Sequence, residues 1–244
     1  MNIPARAFDL LGAAVFSAVA PAVLVFERLA PLRARVEPGA RRLALNVALG
    51  LSAAAVARLG VVPAMSRAAR WSARRRFGIL HRVPLSGTAR VALGLVALDW
   101  TMYLWHRANH RVPLLWRFHR VHHLDRDLDA STALRFHFGE IAMSIPFRAA
   151  QVALLGVSPM TAAVYEVALQ TASMCHHSAV NLSAPLDRAL RRVFVTPRMH
   201  GSITRSTRAR PTPTGRWCFQ SGIASTAPSS SASPTRSPRA HPTI

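Results

Sequence analysis

The chain has 244 residues, half of them hydrophobic, with a mean hydropathy of +0.19 and a formal net charge of +21. That length suits one ordinary domain or a bundle of membrane helices. The charge does not point to nucleic acid, because the arginines are scattered among apolar stretches and form no aromatic-interleaved basic stripe, and two cysteines are too few for a disulfide framework or a thiolate metal site.

Phe8 to Phe26 runs nineteen positions with one charged residue, Asp9, about enough helix to cross the ~30 Å hydrocarbon layer. It ends in Glu27, Arg28 and Pro31 without a small-residue cleavage site, unlike a secretory leader. Leu43 to Met65 is a second candidate span, interrupted by Arg58. Val91 to Trp105, carrying Asp99, is a third, and Ile141 to Cys175, with Arg148 and Glu166 as its charges, is long enough for a helical hairpin. A soluble helical core would show polar faces, and these segments show almost none. The expected fold is therefore all-α, a polytopic membrane helical bundle of four or five spans with a histidine-rich cap at the membrane surface.

Between the first two spans, Glu27 to Arg42 holds Arg28, Arg33, Arg35, Arg41 and Arg42, which the positive-inside rule places in the cytoplasm. Arg67 to Arg90 reads as a second basic segment lying on the membrane, with Trp71, Phe77, Ile79 and Leu80 interleaved. His106 to Glu140 is polar and histidine-rich, and Leu182 to His200 is amphipathic. After Gly201, Ser, Thr, Pro and Arg dominate and no periodicity remains. Three regions follow: 1–90, 91–200 and 201–244.

Five of the eleven histidines lie between His106 and His123. His106 and His110 are four apart, and His119, His122 and His123 are three and four apart, so each group shares a helix face and can converge on an ion. Imidazole suits iron, copper and zinc, but many histidines and few carboxylates at the mouth of membrane helices is not the arrangement of structural zinc. Asp99, one heptad before His106, is an ionisable group inside a membrane segment and is read as orienting an imidazole; Glu140 is a similar candidate. Lone histidines such as His81 and His137 read as surface or hydrogen-bonding residues, and His176 is ambiguous. A histidine-lined transporter would want its histidines within the spans, whereas these sit at span ends.

The series Asp99, Tyr103, His106, His110, Pro113, Trp116, His119, His122 and His123, with Trp105-His106-Arg107, resembles the first two histidine boxes of the fatty acid hydroxylase / sterol desaturase family. The likeness continues at Arg135 to Glu140, where Phe138 stands for the usual proline, at His177-Ser178, and at Thr196-Pro197-Arg198-Met199-His200, the opening of the third box. It implies two iron ions, with His106, His110, His119, His122, His123 and His200 as ligands and His177 as a further one. It also implies dioxygen, a lipid substrate and a separate electron-donor reductase, with the boxes on the cytoplasmic side of a multi-pass membrane protein. The reaction would be hydroxylation or desaturation of a sterol, carotenoid or fatty acyl lipid.

The family's third box continues His-x-x-His-His, where this chain has Gly201-Ser202-Ile203-Thr204. All its basic residues are arginine, the mark of a gene poor in A-rich codons. Joining the last base of each codon from Ser202 onward to the first two of the next lets Ser202–Ile203 read CAT and Ile203–Thr204 read CAC, two histidines in the family spacing. The same frame allows Thr-Asp-x-Asn-Trp across Arg210 to Gly215 and Trp-Asp-Arg across Ser221 to Ala224. The residues after about Gly201 are thus expected to be an out-of-frame tail. The printed chain would then be an impaired oxygenase, or a non-catalytic member that keeps only the membrane fold.

Overall fold

The computed structural model describes residues 5–37 and 39–202, with side chains from residue 12 onward. The expected out-of-frame tail lies outside the described residues. Among those described the chain is all-helical, and one isolated antiparallel bridge pairs Pro31 with Val180.

Helix α1, Ala5–Leu29, contains the first candidate span. Helix α2, Gly39–Val56, passes through a π-helical turn at Ala57–Val61 into α3, Val62–Arg75, so the second candidate span is helical along its length. Two stretches, Gly12–Leu29 and Gly39–Arg82, are long and apolar enough to cross a membrane. Their outward faces carry large apolar side chains in the open, Leu29 at 74%, Leu51 at 68% and Leu59 at 81% exposure, the kind of exposed apolar surface that marks a membrane or partner contact.

The basic segment from Arg67 to Arg90 is divided among three helices. It holds the second half of α3, a single turn α4 (Ile79–Arg82) and the start of α5. Arg76 ends α3 in the left-handed region, and Gly78, at φ +110°, passes so close to Gly156 that a Cβ there would meet its backbone at 2.5 Å. Only glycine fits that crossing.

Helix α5, Gly87–Arg111, is capped by Ser86, whose hydroxyl accepts from the Ala89 amide at 3.2 Å. It stops where Pro113 opens α6, Pro113–His123, because proline is accommodated in the first helical turn and forces the residue before it, Val112, into extended backbone. A 3-10 turn, Ala130–Leu134, follows. The hairpin read from Ile141 to Cys175 is α7, Phe138–Leu155, and α8, Pro159–His177, separated by Gly156 in the left-handed region and by Ser158, which caps α8 through the Thr161 amide. Its two charges meet across the hairpin, Arg148 paired with Glu166. A short α9, Ala184–Leu190, completes the named helices.

The apolar core lies where α3, α5, α7 and α8 pack, around Met65, Leu98, Met102, Val152, Val157 and Tyr165. Buried polar groups then fix the ends of the bundle. The Glu27 carboxylate, near the end of α1, accepts from the amides of Ala130 at 2.7 Å and Ala179 at 2.6 Å. Arg42, assigned from sequence to a solvated basic loop, is instead buried in α2. It donates to Asp125 and Asp129, each at 2.6 Å, and to the Thr132 hydroxyl at 3.0 Å. Three acids alternate over 125–129, and a buried carboxylate needs a cation or several donors, which is why this arginine turns inward.

Candidate metal centre

Helix α5 presents His106 and His110 one turn apart, with their Nε2 atoms 3.2 Å from each other. Helix α6 brings His119 between them, its ring centroid 4.9 Å from that of His106 and 4.8 Å from that of His110. One turn on, His123 has its Nε2 3.2 Å from the His119 Nε2. On the other side of α6, His122 faces the end of α8, where the His177 Nε2 stands 3.0 Å from its own. His200 closes this second group, its ring centroid 4.3 Å from that of His177.

Two triads result, His106/His110/His119 and His122/His177/His200, and in each the candidate ligand atoms lie within 4.8 Å of one another. His123 adjoins the first triad and stands 5.3 Å, ring to ring, from His122 of the second. Nitrogens bound to one ion at 2.0–2.1 Å lie about 3.0–3.4 Å apart, so the Nε2 pairs are already at ligand spacing. All seven histidines singled out from the sequence come together, from four separate segments.

The far side of the rings fixes which nitrogen faces inward. His119 Nδ1 is 2.9 Å from Glu140 Oε1, and His177 Nδ1 is 2.6 Å from the Ser173 carbonyl. Each of these acceptors wants the proton on Nδ1, which leaves the Nε2 lone pair directed at the neighbouring histidine, the arrangement a metal requires. Burial, with the nearby His177, lowers the His122 imidazole well below its ordinary value; burial, with His177 and His176, does the same to His200. Both are therefore neutral, metal-competent donors at neutral pH.

Of the two carboxylates named from sequence, Glu140 lies against an imidazole, that of His119, and also accepts from the buried Asn109 amide at 3.2 Å. Asp99, buried on α5, accepts from the Tyr165 hydroxyl of α8 at 3.4 Å. His137 caps α7 by accepting from the Gly139 amide at 3.0 Å, the hydrogen-bonding role expected of it. His176, left ambiguous, is buried with its ring centroid 4.7 Å from that of His200.

Sequence reasoning missed the support beneath α6. Asp125 follows the His122-His123 pair and is fully buried, bonded to Arg42 and to the Thr132 hydroxyl at 2.8 Å. Arg135 donates to the Val121 carbonyl at 3.0 Å and to the Asn46 side chain at 3.1 Å, tying the last turn of α6 to α2. The signal was there: Asp125, Asp127 and Asp129 are three of only ten acidic residues in the chain, set in five positions.

Fold and site together define, among the described residues, an all-helical protein whose long apolar helices carry a buried cluster of histidines with the spacing of metal ligands. The fatty acid hydroxylase family model matches residues 91–202, just under half of the chain, and supports the likeness of that segment to the fatty acid hydroxylase / sterol desaturase family. A curated relative, "Ornithine lipid hydroxylase OlsE" of Rhizobium tropici, is 32% identical over 112 residues, which are 46% of this chain and 33% of the relative. The matched segment thus spans about a third of that relative's length. No solved structure matches the chain.

Proposed function

We propose that this chain derives from a membrane di-iron hydroxylase of a lipid. The observation that carries the reading is the pair of triads with inward-directed imidazole nitrogens, His106/His110/His119 with His123 beside them and His122/His177/His200. Nitrogen-only donors at this spacing suit ferrous ions. Two irons held there supply the activation of dioxygen against an unreactive C–H bond, with electrons from a separate reductase.

The protein's own contribution is positional. Glu140 and the Ser173 carbonyl hold His119 and His177 in the tautomer that leaves Nε2 bare, and Asp99 stands one heptad behind His106 on α5. The bundle spans the membrane four or five times, through α1, α2–α3, α5 and the α7–α8 hairpin, with the histidine end on the cytoplasmic side. The substrate is a membrane lipid, in keeping with the relative's name as an ornithine lipid hydroxylase.

A second reading, a non-catalytic member that keeps the fold, is favoured by one observation: the residues after His200 lack the two histidines that complete the family's third box. The shifted reading frame accounts for that loss, and the family match ending at residue 202 supports it. Sequencing the gene tests the frame directly, since codons unable to spell those histidines end the idea. Iron analysis and dioxygen uptake on the frame-restored protein, the printed chain and an His119→Ala variant then test the chemistry. The restored protein is expected to hold two irons and consume dioxygen, and the printed chain to hold fewer with little uptake. Two tightly held irons in the printed chain, or none in the restored one, would overturn the reading.

A further inference from the structure

Two hollows are lined by consecutive residues at the histidine end of the bundle, Phe26 and Glu27 on α1 and Ser178 and Ala179 after α8. One is a groove of about 690 Å³ between α1 and α8, walled by Val15 and Phe26 on α1 and by Val164, Thr171 and His176 on α8, with the 178–197 segment closing it. That volume and its apolar lining are those of a small-molecule site. Its α8 wall runs twelve positions from Val164 to His176, about 18 Å at the helical rise.

Helices α1 and α8 point the same way, because Gly12 lies against Val167 and Glu27 takes the Ala179 amide. His176 therefore marks one end of the groove and Val15 with Val164 the other. The His176 ring is 4.4 Å from that of His177 and 4.7 Å from that of His200, so the groove's inner end borders the second triad.

The other hollow, about 560 Å³, lies at this same end, against the last turn of α1 and Ala179. Arg28, Arg35 and Arg126 line it. Its carboxylates are already engaged: Glu27 by two amides, Asp127 by the Val36 and Glu37 amides at 2.8 Å each, and Asp129 by Arg42. The side chains of Arg35 and Arg126 are 62% and 66% exposed, with loose contacts of 3.8 Å to Asp129 and 3.6 Å to Glu37. What the cleft presents outward is positive charge.

We propose that groove and cleft form one binding site for a membrane lipid with an anionic head, the head on the arginines and the hydrocarbon chain along α1 and α8, so that the carbons nearest the head lie beside His176. The inference deepens the lipid-oxidising reading and rests on it for its biological meaning, but its test does not depend on turnover. Anionic lipid is attracted by clustered arginines at a membrane surface, whereas a neutral zwitterion is not. A head held at the histidine end also fixes direction: the chain terminus lies near Val15 and Val164, away from the metal centre.

The test uses the full chain in lipid nanodiscs and two phosphatidylglycerol probes, one with a photoactivatable diazirine on the early acyl carbons and one with it at the terminal carbon. Labelled peptides are mapped by mass spectrometry, and the matching phosphatidylcholine probes serve as comparison. The early-carbon probe should label 171–180 and the terminal probe 12–16 and 164–168, with labelling about tenfold above phosphatidylcholine. Ala172→Trp, which fills the groove, should suppress both probes. The triple change of Arg28, Arg35 and Arg126 to Gln should remove the preference for the anionic head while helicity is retained.

Reversed labelling positions, equal labelling by the two lipids, or a crosslink placing residues 203–244 in the groove from a reagent on Cys175 would each overturn the proposal. Iron content measured on the frame-restored protein, labelled in parallel, separates the two ideas. Labelling without iron supports the site and defeats the oxidising reading, and iron without labelling defeats the site alone.

Discussion

Arg42→Met would leave two buried carboxylates without the guanidinium that faces both. Arg42 Nε reaches Asp125 Oδ1 and Nη1 reaches Asp129 Oδ2, each at 2.6 Å, with the Arg42 side chain 5% exposed and that of Asp125 0%. Removing one partner of such a pair costs about 3–5 kcal/mol, because the remaining charge keeps its desolvation penalty and loses its compensation. Arg135 stays 3.6 Å from Asp125 and retains part of the balance, which puts the expected loss near the lower end, about 3 kcal/mol. In a chain of this size each kcal/mol moves Tm by about 2–4 °C, so a fall of roughly 6–12 °C is expected by thermal unfolding in detergent. Metal affinity should fall with it, since the Asp125 amide donates to the His122 carbonyl at 3.4 Å and the whole cluster anchors the end of α6. Arg42→Lys should recover only part of the loss, because an ammonium cannot span two carboxylates as a planar fork does. A Tm within about 2 °C of the parent for Arg42→Met would refute the reasoning.

Glu140→Gln keeps an acceptor for His119 Nδ1 but removes its charge, and should weaken metal binding about 10- to 100-fold in a ferrous-ion titration; an unchanged affinity would remove Glu140 from the centre. Gly156→Ala puts a Cβ 2.8 Å from His81 Cδ2 and 3.0 Å from the Phe77 carbonyl at φ +74°, and should cost about 1–2 kcal/mol, read as a Tm loss of a few degrees. The pH dependence on the acid side follows from Asp129. Burial raises its pKa, but hydrogen bonds from Arg42 and Ser131 outweigh that and hold it below its ordinary 3.8. A depressed carboxylate contributes stability that is full above its unfolded pKa and is lost as pH falls through the folded value. Tm should therefore drop as pH is lowered below about 4, and Asp129→Asn should flatten that limb; identical acid limbs in the two proteins would sink the assignment.

Helix positions and the clustering of most of the histidines were legible in the sequence for a simple reason: each is written in local spacing. Apolar runs of span length became α1, α2 with α3, and the α7–α8 hairpin, and histidines four apart became single faces of α5 and α6, whereas His122, expected on the face of His119, turns to the other side of α6 toward His177. The joining of His177 and His200 to His122 carries no local signature and came through the family resemblance. The polar scaffold was missed because it is long-range. Arg42 and Asp125 are 83 residues apart, and an arginine beside Arg41 in a basic stretch looks solvated until its partners are in place. Asp99 shares a helix with His106, whereas Glu140 meets His119 only once α7 packs on α6. Arg148 and Glu166, seen one at a time as charges in apolar runs, make sense only as a pair.

The carboxylate at the end of α1 bears on what unit of this chain can stand alone. Glu27 gathers the amides of Ala130 and Ala179, and Arg42 and Asn46 gather the acids, hydroxyls and arginine that follow α6. Every one of these anchors precedes residue 91, while the family match begins there. An excised 91–202 fragment would carry all seven candidate ligand histidines yet leave Asp125, Asp129 and the 3-10 turn with only the local contacts from Ser131, Thr132 and Arg135. Recognisable homology and cooperative folding thus have different borders here, and a minimal metal-binding protein cut from this chain must begin no later than α1.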